Sequence, residues 1–218
     1  MINTLAFEYS YKALIVYCRI NHKNFSLVEL KSNFNFSVPK IFNDFVIKNN
    51  IDLNQIELII NSCGPGSFTG LRISLSFVKG LALGLSIPFV NISTLDVFAN
   101  LVKNNTSLIV LIFTAGKYFL GHYKNCELIG KIFCFSKEDL FEHLNQIDDP
   151  NSVLIGNNLE DVFKEFNYKF KIIENLSSFG KTLTELGIAK YLKNRKGDDI
   201  LSGPLYIRQS DAEVNFHS

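Results

Sequence analysis

The sequence predicts an α/β protein of two similar lobes, each a mixed sheet flanked by helices. Three observations predict it. An order of three strands, helix, strand and helix occurs twice along the 218 residues. In the first half, a glycine-rich turn joins an apolar strand to a long apolar helix. The composition, 47% hydrophobic with a formal net charge of +1, suits a chain that can bury a sizeable core.

In order along the chain, Thr4 to Ser10 and Lys12 to Ile20 are rich in apolar and β-branched residues and read as a hairpin. Asn24 to Lys31 reads as a third strand. Ser37 with Pro39 opens a helix whose apolar face is Val38, Ile41, Phe42, Phe45 and Val46, and Asn49-Asn50 stops it. Ile56 to Asn61 is a strand, Leu71 to Leu85 a helix and Pro88 to Ile92 a strand. Thr94 caps a helix with Leu95, Phe98, Leu101 and Val102 on one face. Lys103-Asn104-Asn105 reads as a linker, so the lobes are expected at 1–103 and 104–218, with the last residues candidates to return to the first lobe. The second half repeats the order: strands Ser107 to Thr114, Lys117 to Lys124 and Glu127 to Phe135, then a helix from Ser136 to Gln146. Ser152 to Ile155 (strand), Leu159 to Phe166 (helix), Tyr168 to Ile173 (strand) and a helix from Ser178 to Asn194 complete it.

The rest is organised around Gly64-Pro65-Gly66-Ser67-Phe68-Thr69-Gly70-Leu71-Arg72. Glycine accepts positive φ and proline presets its own, so this is a built turn, and Ser67 or Thr69 can cap the helix after it. Strand, glycine turn and helix make a common phosphate site, yet the spacing matches neither known pattern. A P-loop needs lysine and a hydroxyl after its last glycine, where Leu71 and Arg72 stand; a dinucleotide fingerprint needs a third glycine where Thr69 stands. The helix is apolar around most of its circumference, through Leu71, Ile73, Leu75, Phe77, Val78 and Leu81, so it is either a core helix or one with a second face in a protein interface. Gly80 and Gly84 would let another helix come close. At 15 residues it is short of the roughly 20 that a membrane span needs.

Chemistry is sparse. No lysine–arginine block interleaves with aromatics, which argues against strong direct nucleic-acid binding. His22, His122, His143 and His217 form no metal-ligand spacing, and Ser67 lacks the flanking glycines of a nucleophile elbow. Cys18, Cys63, Cys126 and Cys134 read as small buried thiols in a reducing compartment. Asp148-Asp149 and Asp198-Asp199 read as solvated loops. Neither a catalytic residue, a metal nor a cofactor is expected, and the absence of a signal or membrane-length segment points to the cytoplasm.

Two halves, each a meander with crossover strands and helices, give the pattern of the actin-like ATPase (ribonuclease H-like) architecture. There the first hairpin of each half supplies phosphate-binding backbone. Here those hairpins read Glu8-Tyr9-Ser10-Tyr11, without glycine, and Phe113-Thr114-Ala115-Gly116-Lys117, without a carboxylate for magnesium. The nine-residue glycine stretch itself resembles the motif of the glycoprotease-like superfamily within that fold, and specifically its short bacterial TsaB branch. Lys79-Gly80-Leu81-Ala82, Ile87-Pro88, Ser93-Thr94-Leu95 and a closing strand at Pro204-Leu205-Tyr206-Ile207-Arg208 extend the resemblance. The chain departs from that branch at Glu8-Tyr9-Ser10, at Phe36-Ser37, which replaces a His-Ser pair, and near Phe113, which lacks the usual acid.

The resemblance implies a non-catalytic subunit of the machinery that makes N6-threonylcarbamoyladenosine at position 37 of tRNA. It would pair with a longer TsaD-like catalytic subunit, with a TsaE-like ATPase at the pair's junction and tRNA reached only indirectly. The expected contact residues are Val38, Ile41, Phe42, Phe45, Leu71, Ile73, Leu75, Phe77, Val78 and Leu81, and a homodimer could use the same helices. Two other classes stay open: a nucleotide-dependent kinase or ATPase, and a glycoprotease-like peptidase.

Overall fold

Alternating apolar runs at the start of the chain pair as expected. The computed structural model describes residues 2–10, 13–30, 37–102, 107–149, 152–157, 159–166, 171–173 and 178–207. β1 (Thr4–Glu8) and β2 (Ala13–Ile20) are antiparallel, and β3 (Lys23–Leu30) continues the meander. α1 (Val38–Lys48) starts where Ser37 caps it, the hydroxyl accepting from the Lys40 amide. β4 (Leu58–Ser62) then lies parallel to β1, and α2 (Phe68–Leu85) leads to β5 (Phe89–Ile92), parallel to β4. The sheet order is β3-β2-β1-β4-β5.

The second half repeats it. β6 (Ser107–Thr114), β7 (Lys117–Lys124) and β8 (Glu127–Phe135) form a meander with the expected limits. α4 (Lys137–Gln146, capped by Ser136), β9 (Val153–Asn157), α5 (Glu160–Phe166) and β10 (Lys171–Ile173) follow. Its order, β10-β9-β6-β7-β8, matches that of the first sheet element for element. The first part of the expected strand from Tyr168, and the linker Lys103-Asn104-Asn105, lie outside the described residues.

The division into units does not fall at 103/104. One unit is residues 1–93 with 178–204; the other is 94–177 with 205–218. The reason lies in two helices. α3 (Thr94–Leu101) buries Leu95, Val97, Phe98 and Ala99 against β6, β8 and β9, and the Tyr123 hydroxyl on β7 donates to Asp96 on α3 at 2.7 Å. α6 (Phe179–Asn194) instead packs on β1, β2, β4 and β5, where a Cβ at Gly187 would lie 2.5 Å from Ile60. It is thus the segment Ser178–Pro204 that returns to the first unit; the last residues expected to do so, from 208 on, lie outside the described residues. Pro204 to Ile207 form no strand, contrary to the closing strand expected there, and Arg208 lies outside the described residues.

The first unit is three layers, α1 and α2 on one face of the sheet and α6 on the other. Phe7 on β1, Phe42 on α1 and Phe77 on α2 meet with ring centroids 5.3–5.4 Å apart, pinning both helices to the strand. Of the four cysteines only Cys18 is buried; Cys63, Cys126 and Cys134 are half-buried, and none of the four forms a disulfide. Burial pushes the Cys18 thiol up to about 12.

Candidate partner-binding site

The glycine turn uses its three glycines in three ways. Gly64 takes φ +105°, which a side chain would resist. Gly66 is a close approach: a Cβ there would lie 2.4 Å from Ser10 Cβ and 2.7 Å from Ser10 O. Gly70 is already inside α2, and its amide donates to the Ser67 hydroxyl at 3.3 Å, so Ser67 is the cap and the helix starts three residues earlier than expected. The Ser67 amide donates to the Ser10 carbonyl, and the Ser10 amide to Glu8 Oε1. The turn is therefore seated on the described end of the first hairpin.

Behind the turn, α2 presents two different faces. Leu71, Leu75, Val78 and Ala82 face the sheet, and Ser74 donates to Asn61 on β4 at 2.6 Å. The opposite face is open: Ile73 is 40% and Leu83 66% exposed, and an added Cβ at Gly80 or Gly84 would meet nothing within 4 Å. Phe77 and Leu81 lie half-buried at the margin, as Ile41 does on α1. Beyond Ile41, α1 leaves Ile47 66% exposed.

The ten residues expected at a contact therefore separate. Val38, Phe42, Phe45, Leu71, Leu75 and Val78 are core residues, the last 0% exposed, and cannot reach a partner. Ile41, Ile73, Phe77 and Leu81 retain surface. Leu83 and Ile47, not among the ten, are also exposed: in α2, apolar nearly all round, the pattern does not distinguish inward from outward, and Ile47 stands outside the one apolar face of α1.

A second feature escaped the sequence. Asp198, expected in a solvated loop, accepts from the Asn91 amide at 2.7 Å and from Lys190 Nζ at 2.8 Å, while its own amide donates to the Phe89 carbonyl. Asn91 accepts from Asn61 Nδ2 at 3.0 Å and donates to Ser202 at 3.3 Å. Hydrogen bonds thus run from the buried side of α2 through two strands to the segment after α6, which covers the free edge of β5.

In the second unit, the hairpin turn after Thr114 has Ala115 and Gly116 at positive φ, and the Phe113 amide donates to Asn157 Oδ1 at 3.2 Å. His122 and His143 come together there, Nε2 to Nε2 at 3.0 Å; His22 stands in the β2–β3 turn, and His217 lies outside the described residues. Among the described residues, no three groups of metal-ligand type converge.

The model of the TsaD family, tRNA N6-adenosine threonylcarbamoyltransferase, matches residues 30–195. The chain belongs to this family. Relatives bearing the TsaB name match it too. The tRNA threonylcarbamoyladenosine biosynthesis protein TsaB of Buchnera aphidicola subsp. Baizongia pistaciae is 35% identical over 103 residues, 44% of this chain and 47% of that protein. The chain spans about half the length of the curated relatives it matches. Among solved structures, YeaZ from Pseudomonas aeruginosa has a TM-score of 0.72 at 19% identity, covering 95% of this chain and all of that one. MreB5 of Spiroplasma citri bound to ADP has a TM-score of 0.52 at 8% identity, covering 89% and 98%. The fold is the actin-like ATPase fold, with the same sheet order in both halves.

Proposed function

We propose that the chain is a non-catalytic cytoplasmic subunit in tRNA threonylcarbamoyladenosine synthesis, and that it pairs with a TsaD-like enzyme through the outer face of α2 and the adjoining part of α1. The family and its TsaB-named members support the pathway. One observation carries the pairing. A helix that buries one side on its sheet leaves Ile73, Gly80, Leu83 and Gly84 uncovered on the other, an apolar surface with two positions where a second backbone can approach closely. The pairing would hold the enzyme in its active arrangement, tRNA being bound elsewhere in the complex. The closed seat of Gly66 on Ser10 supports the non-catalytic reading, since phosphoryl transfer needs phosphates cradled by free backbone amides.

The test is co-purification and calorimetry with the TsaD-like subunit of the same organism. Ile73→Asp or Leu83→Asp should weaken pairing at least tenfold while leaving the chain folded, because each places a charge in the apolar centre of the contact. Val78→Asp is unsuitable, since that residue is wholly internal. Unchanged affinity in both surface variants refutes the face, and magnesium-dependent nucleotide turnover by the chain alone refutes the non-catalytic reading.

A further inference from the structure

His122 on β7 and His143 on α4 take no part in the proposed pairing. Their Nε2 atoms are 3.0 Å apart and their ring centroids 5.2 Å, so the rings meet nearly end-on. A shared metal would need the two lone pairs to converge on a third point; here they are aimed at each other. The arrangement is that of a hydrogen bond in which one Nε2–H donates to the other, unprotonated Nε2, so the two rings are opposite tautomers. Phe133 has its ring centroid 6.3 Å from His122 and 5.6 Å from His143, and Phe135 stands 5.1 Å from His143. Both imidazoles are half-buried against this aromatic pair.

We propose that the two histidines are a proton-operated latch that fastens α4 to β7 and β8 and opens when both rings are charged. The proton count explains why two are needed. A first proton can settle on Nδ1 of the donor ring, which leaves the Nε2–H···Nε2 bond in place but puts a charge in a half-buried site. A second must occupy the accepting Nε2 itself. Two N–H groups on two cations would then face each other across 3.0 Å, and α4 must move.

The other charged side chains beside the pair on these three elements are lysines and carboxylates. Lys124 lies two residues beyond His122 on β7. On β8, Lys131 Nζ stands 5.4 Å from the Phe133 ring centroid and Glu127 pairs in register with Lys124. On α4, Asp139 is bonded to Ser136 one turn before His143, and Glu142 adjoins it.

Burial lowers both imidazoles below their ordinary value, and the charge of His143 lowers His122 further. A folded pKa below the unfolded one means that the unfolded or opened state binds more protons at intermediate pH. The latch's stabilisation is therefore complete above about pH 6.5 and is lost as pH falls from there through the folded values.

Hydrogen exchange of the intact chain between pH 7.5 and 5.0, corrected for intrinsic exchange, tests this. Peptides covering Lys137–Gln146 should lose protection by tenfold or more, with the steepest part approaching roughly 100-fold per pH unit, the two-proton limit. The first-unit strands should not follow. The double variant His122→Gln with His143→Gln, which can keep a neutral hydrogen bond, should show no such response. Equal protection of α4 at both pH values in the unmodified chain, or a response that survives in the double variant, overturns the latch. Should that variant fail to fold, nitrogen shifts of the unmodified chain at pH 7.5 decide: opposite tautomers are required, and the same tautomer in both rings overturns the proposal.

Discussion

Replacing both Gly80 and Gly84 by alanine should move two properties in opposite directions. Both lie in α2, and neither has a neighbour within 4 Å of an added Cβ. Within one chain, therefore, nothing obstructs the methyl groups and the helix gains from them. An interior glycine costs about 1 kcal/mol relative to alanine, and one in the last turn roughly half that, so the gain is about 1.5 kcal/mol. For a chain of this size each kcal/mol is worth about 2–4 °C in Tm, which gives a rise of about 3–6 °C. At the proposed contact the same methyls intrude on the closest approach of a second backbone, and overpacking of that kind costs about 1–3 kcal/mol. Affinity for the TsaD-like subunit should then fall roughly 5- to 150-fold. Scanning fluorimetry at low protein concentration reads the first effect and titration calorimetry the second. A more stable chain with unchanged affinity refutes the use of this face. A destabilised chain refutes the open surroundings of the two glycines.

Three further outcomes follow from particular contacts. Gly66→Ala drives a Cβ into Ser10 and breaks the Ser67–Ser10 backbone bond, so it should cost about 2–4 kcal/mol by urea denaturation; a loss under 0.5 kcal/mol contradicts the close seat. Ser74→Ala leaves the buried Asn61 Oδ1 without its donor and should cost about 1–3 kcal/mol, whereas Ser76→Ala, on the exposed side of the same helix, should be near neutral. In native protein near pH 8, iodoacetamide should modify Cys18 last, since its thiol is both buried and raised to about 12; early labelling at Cys18 in peptide mass spectrometry would contradict its placement.

Much of the architecture was legible because its signals are local. Ser37, Ser67 and Ser136 are hydroxyls placed just before apolar periodic runs, and each caps its helix. The strands of the second meander were bounded by turn residues such as Asn125 and Gly116, which take positive φ where the chain reverses. The glycine motif was legible as a turn, and its resemblance pointed to the family whose model matches the chain.

The sequence alone determined most of the helices and strands, though not the strand expected from Pro204, and that the two halves share one order, because caps, turns and periodicity act over a few neighbouring residues. Tertiary structure alone decided the rest. Whether α3 joins the second sheet and α6 the first depends on which sheet face each helix can cover. Likewise Val78 is internal and Leu83 is not, although both are apolar positions of one helix, because a sheet stands on one side of it only. The strap through Asp198 and the meeting of His122 with His143 join residues distant along the chain, and no periodicity records such a pairing. Local rules fix what each segment becomes; burial and partnership are set by the surfaces brought together when distant segments pack.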